Sequence, residues 1–217
     1  MSLRDIEGLA VDYDRTLTDP DLRDVPEARA ALEAARRAGC RIVVVSGRDL
    51  AHLEARFGDL ADAIVAENGC VLRALGEVRE VVPPRGDLRA ALSPVGVPVD
   101  YGRVIASADA RQERVLMEAL EAAGAVRIPV RNRDRVMFLP PGVDKAAGFL
   151  AACRALGVSP RRFAAAGDGE NDVPLLRAAG YRIAVANAVP DVKAIADHVT
   201  DEPGGEGVAA WIRETWL

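Results

Sequence analysis

Leu9-Ala10-Val11, Ile42-Val43-Val44-Val45, Ala63-Ile64-Val65-Ala66 and Phe163-Ala164-Ala165-Ala166 are apolar at every position rather than at alternate ones. A strand with one wet face alternates with period two, so unbroken runs this short fit strands buried on both sides. Such strands belong to parallel sheets, because each crossover connection lays a helix over the sheet. The intervening stretches supply those helices. One is predicted from Pro26, well placed in a first helical turn, to Ala38, with Gly39 as its stop. Others are predicted near Asp49–Phe57, Asp144–Leu156, Asp172–Ala179 and Asp191–Ala196, with a last one before Trp216. With strands at Ile6–Val11 and Tyr181–Val185, the pattern predicts an α/β protein with a doubly wound, mostly parallel, Rossmann-like sheet.

The rhythm changes in the middle of the chain. Val71–Val82 alternates around Leu75-Gly76-Glu77 as a hairpin does, and Pro83-Pro84 breaks it. Beyond lie a helix near Asp87–Leu92, a strand at Arg103–Ser107, a helix at Arg111–Ala123 and strands at Val126–Val130 and Arg135–Leu139. These are too mixed to continue the first sheet. We expect residues 83–142 to form a small inserted α+β domain, and 1–82 with 143–217 to form the core. Tethered by Pro83-Pro84 and Pro140-Pro141-Gly142, the insert is placed to open and close over the sheet.

Composition removes several function classes. The net charge is −5, no basic block exceeds two residues, and aromatics make up only 4% of the chain. Binding to nucleic acid, which needs clustered cations and stacking rings, is therefore not expected. The apolar runs are far shorter than the ~18–20 residues that span a bilayer, so no membrane partner is expected. Met1-Ser2-Leu3-Arg4-Asp5 lacks the basic start and apolar run of a signal peptide. With three widely spaced cysteines, Cys40, Cys70 and Cys153, this points to a cytoplasmic protein with reduced, core-buried thiols.

Ligands of open α/β sheets bind beyond the carboxyl ends of the strands, so the polar residues there carry the functional reading. Asp12-Tyr13-Asp14-Arg15-Thr16 follows the first strand, with two carboxylates able to attack and to move a proton. On its own the pair is as compatible with a helix cap followed by a turn. Ser46-Gly47-Arg48 follows the second strand and offers a hydroxyl and backbone N–H groups to a phosphate oxygen, or simply a cap. Gly167-Asp168-Gly169-Glu170-Asn171-Asp172 offers two hard carboxylate ligands suited to Mg²⁺. A dinucleotide-binding loop would need glycine where Asp172 stands. All but two of the 28 basic residues are arginine, the exceptions being Lys145 and Lys193. Lys145 opens a helix, where the dipole disfavours a cation, so a compact ammonium is wanted there for another reason. Together these groups describe a phosphoryl-transfer centre working through an aspartyl-phosphate.

In this order, Asp12–Thr16, Ser46, Lys145 and Gly167–Asp172 resemble the four motifs of the haloacid dehalogenase superfamily of phosphohydrolases. The insert between the second and third motifs resembles the C2 cap of the Cof-like and archaeal phosphoglycolate phosphatase-like branch. Glu67-Asn68-Gly69, Ala186-Asn187-Ala188 and Gly207-Val208-Ala209 match habits of that branch. The resemblance implies Asp12 as nucleophile and Asp14 as acid/base. Thr16, Ser46, Gly47, Arg48, Lys145 and Asn171 would bind phosphate or substrate, and Mg²⁺ would be held by Asp12, Asp14 through its carbonyl, Asp168 and Asp172. Arg15 departs from the family's usual glycine and would meet the leaving group or an acidic cap residue. The expected partner is a small phosphate ester, and the expected assembly a monomer or homodimer. A sugar-phosphate phosphatase, a phosphomannomutase-like phosphotransferase and a non-catalytic relative share the same outline.

Overall fold

The computed structural model describes residues 5–82 and 86–216; the Pro83-Pro84 break and residues 1–4 of the start lie outside them. The chain runs through β1 (Gly8–Val11), α1 (Pro26–Arg37), β2 (Arg41–Val45), α2 (Leu50–Phe57), β3 (Ala63–Ala66) and the hairpin β4 (Val71–Ala74) and β5 (Glu77–Glu80). It continues through α3 (Leu88–Leu92), β6 (Asp100–Tyr101), β7 (Ala106–Asp109), α4 (Glu113–Ala122), β8 (Ile128–Asn132) and β9 (Arg135–Leu139). Last come α5 (Lys145–Leu156), β10 (Phe163–Gly167), α6 (Val173–Ala178), β11 (Tyr181–Ala184), α7 (Pro190–Ile195), β12 (His198–Val199) and α8 (Gly204–Trp216).

One sheet has eight strands in the order β12-β11-β10-β1-β2-β3-β4-β5. The six from β12 to β3 are parallel, and the β4–β5 hairpin closes one edge antiparallel. The reversal of strand order falls between β1 and β10, which is where an open α/β sheet leaves a crevice. Register decides what lines it. Val11 is level with Ala166 on one side and Val44 on the other, so Asp12, Ser46 and Asp168 emerge at one edge. The strands bury completely because helices cover both faces; α1, for example, turns Ala28, Ala31, Leu32 and Ala35 inward at helical spacing.

The second sheet is antiparallel, ordered β6-β7-β9-β8. Leu88 and Leu92 of α3 and Leu116 and Leu120 of α4 pack on Ala106, Ala108, Val136 and Phe138. In β9 the period of two divides the side chains. Val136 and Phe138 join this small cluster, while Met137 and Leu139 join the main core.

The expected strand at Arg103–Ser107 is displaced: β7 begins at Ala106, because the N–H groups of Arg103, Val104 and Ile105 bond to the Glu67 carboxylate instead of to a neighbouring strand. β6 and β12, two residues each, add to the expected elements. Cys40, Cys70 and Cys153 are free and buried. Among the described residues no helix is long and apolar enough to cross a membrane.

Candidate active site

Lys145 organises the crevice. Asp144 caps α5, its carboxylate accepting the Ala147 N–H at 2.8 Å, and so fixes where the first helical residue points. The Lys145 ammonium donates to Asp12 Oδ1 and Asp172 Oδ1, at 2.6 Å each, with only 1% of the lysine exposed. Asp172 is fixed in turn, its Oδ2 accepting the N–H groups of Asp168 at 3.0 Å and Gly169 at 2.9 Å. Asp12 keeps Oδ2 free of hydrogen bonds to any described residue.

The electrostatics follow from this crowding. Burial pushes the Asp12 carboxyl well above the usual range; Asp172 adds to the push and the Lys145 ammonium opposes it. Burial, then Asp172, likewise raises Asp168, against the pull of Arg133. For Lys145 burial works downward, but Asp12 and Asp172 outweigh it and hold the ammonium above its ordinary value. One carboxylate oxygen from each of Asp12, Asp168 and Asp172 lies within 4.8 Å of the others. Three buried hard-oxygen donors this close together fit a small divalent cation.

Around this centre the expected residues sort differently. Ser46 is fully buried and its Oγ accepts the Arg48 N–H at 3.2 Å. Arg48, expected to meet phosphate or substrate, instead forks onto Asp14, from Nε to Oδ2 at 2.9 Å and from Nη2 to Oδ1 at 2.8 Å. Thr16 is buried, and its hydroxyl finds no partner among the described residues. Asn171 donates to Asn68 Oδ1 at 3.0 Å. Arg15 stands at φ 62°, the left-handed region that favours glycine, held by its N–H to Thr18 Oγ1 at 2.7 Å and by Asn187 Nδ2 on its carbonyl at 3.0 Å. The family's glycine at this position thus has a backbone reason, which arginine meets at a cost of about 1–3 kcal/mol. Gly47, Arg15, Arg48 and Lys145 all line a cavity of about 600 Å³ that is walled on its other side by Asp100, Tyr101, Ser107, Asn132, Asp134 and Arg135.

Two residues take positions at the site that the sequence did not assign them. Arg133, at the tip of the β8–β9 hairpin, reaches Asp168 Oδ2 at 2.6 Å and the Asn187 carbonyl at 3.3 Å. Glu67 follows β3 as Asp12 follows β1, and is only 2% exposed. Its carboxylate accepts the N–H groups of Arg103, Val104 and Ile105 at 2.7, 2.8 and 3.0 Å. Gly102 makes room for it, since a Cβ there would lie 2.6 Å from the carboxylate. Glu67 carried two signals, its charge directly after a buried strand and the Glu67-Asn68-Gly69 match, but neither tells that it binds three N–H groups; Arg133 was legible only as one of several arginines of the insert, because its reach to Asp168 depends on how the hairpin is aimed.

A family model of haloacid dehalogenase-like hydrolases matches residues 99–212. The chain is 32% identical over 220 residues to a phosphoglycolate phosphatase of Methanothermobacter thermautotrophicus, covering 96% of this chain and 98% of that one. It is 32% identical over 213 residues to phosphoglycolate phosphatase 2 of Saccharolobus solfataricus, covering 92% and 88%. Among solved structures, a Thermoplasma acidophilum protein superposes with a TM-score of 0.80 at 19% identity, covering 97% of this chain and 98% of that one. A sugar phosphatase of subclass IIB superposes at 0.74 with 21% identity, covering 96% and 98%. The chain belongs to the haloacid dehalogenase-like hydrolases, as a phosphohydrolase of that family.

Proposed function

We propose that the protein hydrolyses small phosphate monoesters, phosphoglycolate among them, with Asp12 as nucleophile and residues 83–142 as the cap that covers the leaving group. The observation that carries this reading is the Lys145 ammonium bridging Asp12 and Asp172 at the crevice. It leaves Asp12 Oδ2 free to approach phosphorus while holding the carboxylate in one orientation. Attack forms the aspartyl-phosphate as the ester P–O bond breaks, and the leaving oxygen takes a proton from Asp14. Water then attacks the acyl-phosphate, giving its proton to Asp14, and inorganic phosphate leaves. Arg48 orients the Asp14 carboxylate, and the oxygen that carries the proton must leave this fork, since a guanidinium stabilises only the ionised form. Ser46 and Asn171, with the Gly47 and Arg48 backbone, are the remaining candidates to face the phosphoryl oxygens.

The donor set fits Mg²⁺: Asp12, Asp168 and Asp172 would hold it, with the Asp14 carbonyl as a further oxygen. When bound, the cation neutralises charge on the phosphoryl group. The similarity to phosphoglycolate phosphatases supports a small acidic substrate. Free, buried thiols accord with a reducing, cytoplasmic setting. Asp12→Asn, with a circular dichroism spectrum matching wild type, is expected to lose at least about 10⁴-fold in turnover of an aryl phosphate. Chelation is expected to abolish wild-type activity and Mg²⁺ to restore it. Substantial turnover by Asp12→Asn overturns the nucleophile, and indifference to chelation overturns the cation.

A further inference from the structure

Resting on that reading, we propose that the cavity selects phosphate esters of hydroxylated carboxylic acids, with Arg15 receiving the carboxylate and Asp134 a hydroxyl. The argument is an accounting of charge. Among the charged side chains that line the cavity, Lys145 is held by Asp12 and Asp172, Arg48 by Asp14, Arg135 by Asp100 and Ser107, Glu67 by three N–H groups and Asp49 by the His52 N–H. Arg15 and Asp134 remain. Neither side chain forms a hydrogen bond or ion pair with any described residue, and the two do not pair with each other.

Arg15 stands in a left-handed backbone position that glycine would fill without cost. Its guanidinium presents paired donors that match a carboxylate. Asp134, exposed at the edge of the cavity, is acceptor-only and can take a donor from the ligand in place of water; a bare glycolate lacks such a donor and a sugar-acid hydroxyl supplies it. Volume agrees. About 600 Å³ lies in the range of clefts that enclose ligands much larger than a two-carbon acid phosphate. The floor takes the phosphoryl group, so the remaining space belongs to a longer leaving group.

The test compares kcat/KM for phosphogluconate, glucose phosphate and phosphoglycolate. Wild type is expected to favour phosphogluconate over glucose phosphate by about tenfold or more, the worth of one charge-assisted hydrogen bond. Arg15→Gly, whose new residue suits φ 62°, is expected to bring that ratio close to one. Asp134→Asn is expected to lower phosphogluconate relative to phosphoglycolate, and the exposed Arg23→Ala to change neither ratio. Equal use of glucose phosphate by wild type, or a ratio unmoved by Arg15→Gly, overturns the carboxylate site. Phosphoglycolate favoured tenfold over phosphogluconate, with no response to Asp134→Asn, overturns the hydroxyl site. If no ester, aryl phosphate included, is turned over, the hydrolase reading fails instead. Calorimetric binding of phosphogluconate to wild type and Arg15→Gly then decides the Arg15 site by itself, equal affinities counting against it.

Discussion

On the floor of the cavity Lys145, Asp12 and Asp172 are nearly sealed from water and bonded to one another, while on the roof the Asp100–Arg135 pair has side chains 79% and 42% exposed. Both regions are rich in charge, but the charges do different work. Floor charges are desolvated, so each depends on its partners and the group acts as a unit of the fold. Roof charges are hydrated, contribute little to stability, and are free to be spent on whatever occupies the space below them. The division matches the proposed chemistry, in which the phosphoryl group is common to all substrates and the leaving group is what differs.

The comparison breaks most sharply at Lys145. Lys145→Met leaves Asp12 and Asp172 buried without their cation, and is expected to cost about 3–5 kcal/mol in chemical denaturation. A loss below about 1 kcal/mol would mean the floor is not interlocked. Next comes the join between the regions. Glu67→Ala strips three backbone N–H groups of their acceptor, for an expected loss of about 2–4 kcal/mol, and protease cleavage is expected to concentrate between residues 98 and 110. Glu67→Gln, which keeps a carbonyl acceptor, should fall between wild type and alanine. The smallest effect belongs to the roof. Asp100→Asn removes an exposed ion pair, and its denaturation midpoint is expected to shift by no more than about 0.5 kcal/mol. A cost near that of Lys145→Met would erase the distinction.

Much of the floor was legible in the sequence because a parallel strand buried on both faces has few ways to be written. Once Leu9–Val11, Ile42–Val45 and Phe163–Ala166 are recognised as such, the polar residues after them must share one edge. The roof was legible only as a set of elements. Val104 and Ile105 are apolar and buried, as in a strand, yet the adjoining N–H groups face a carboxylate 36 to 38 residues earlier. Nothing local distinguishes the two uses of an apolar pair. The partner of Arg48 was illegible for a similar reason: a strand-end cation is drawn to whichever carboxylate tertiary geometry brings near, and here that is Asp14. β6 and β12 are too short to carry a periodic pattern at all.

The alternation within β9 bears on traffic through the site. Because Met137 and Leu139 sit in the main core along with Val104 and Ile105, a rigid-body swing of the second sheet and its helices away from the first would drag these four side chains into water. At about 1.5–3 kcal/mol each, that excursion would cost as much as unfolding an ordinary domain. That apolar seam therefore favours small rocking of the second sheet over a full swing, so access to the crevice would have to be gained without breaking it.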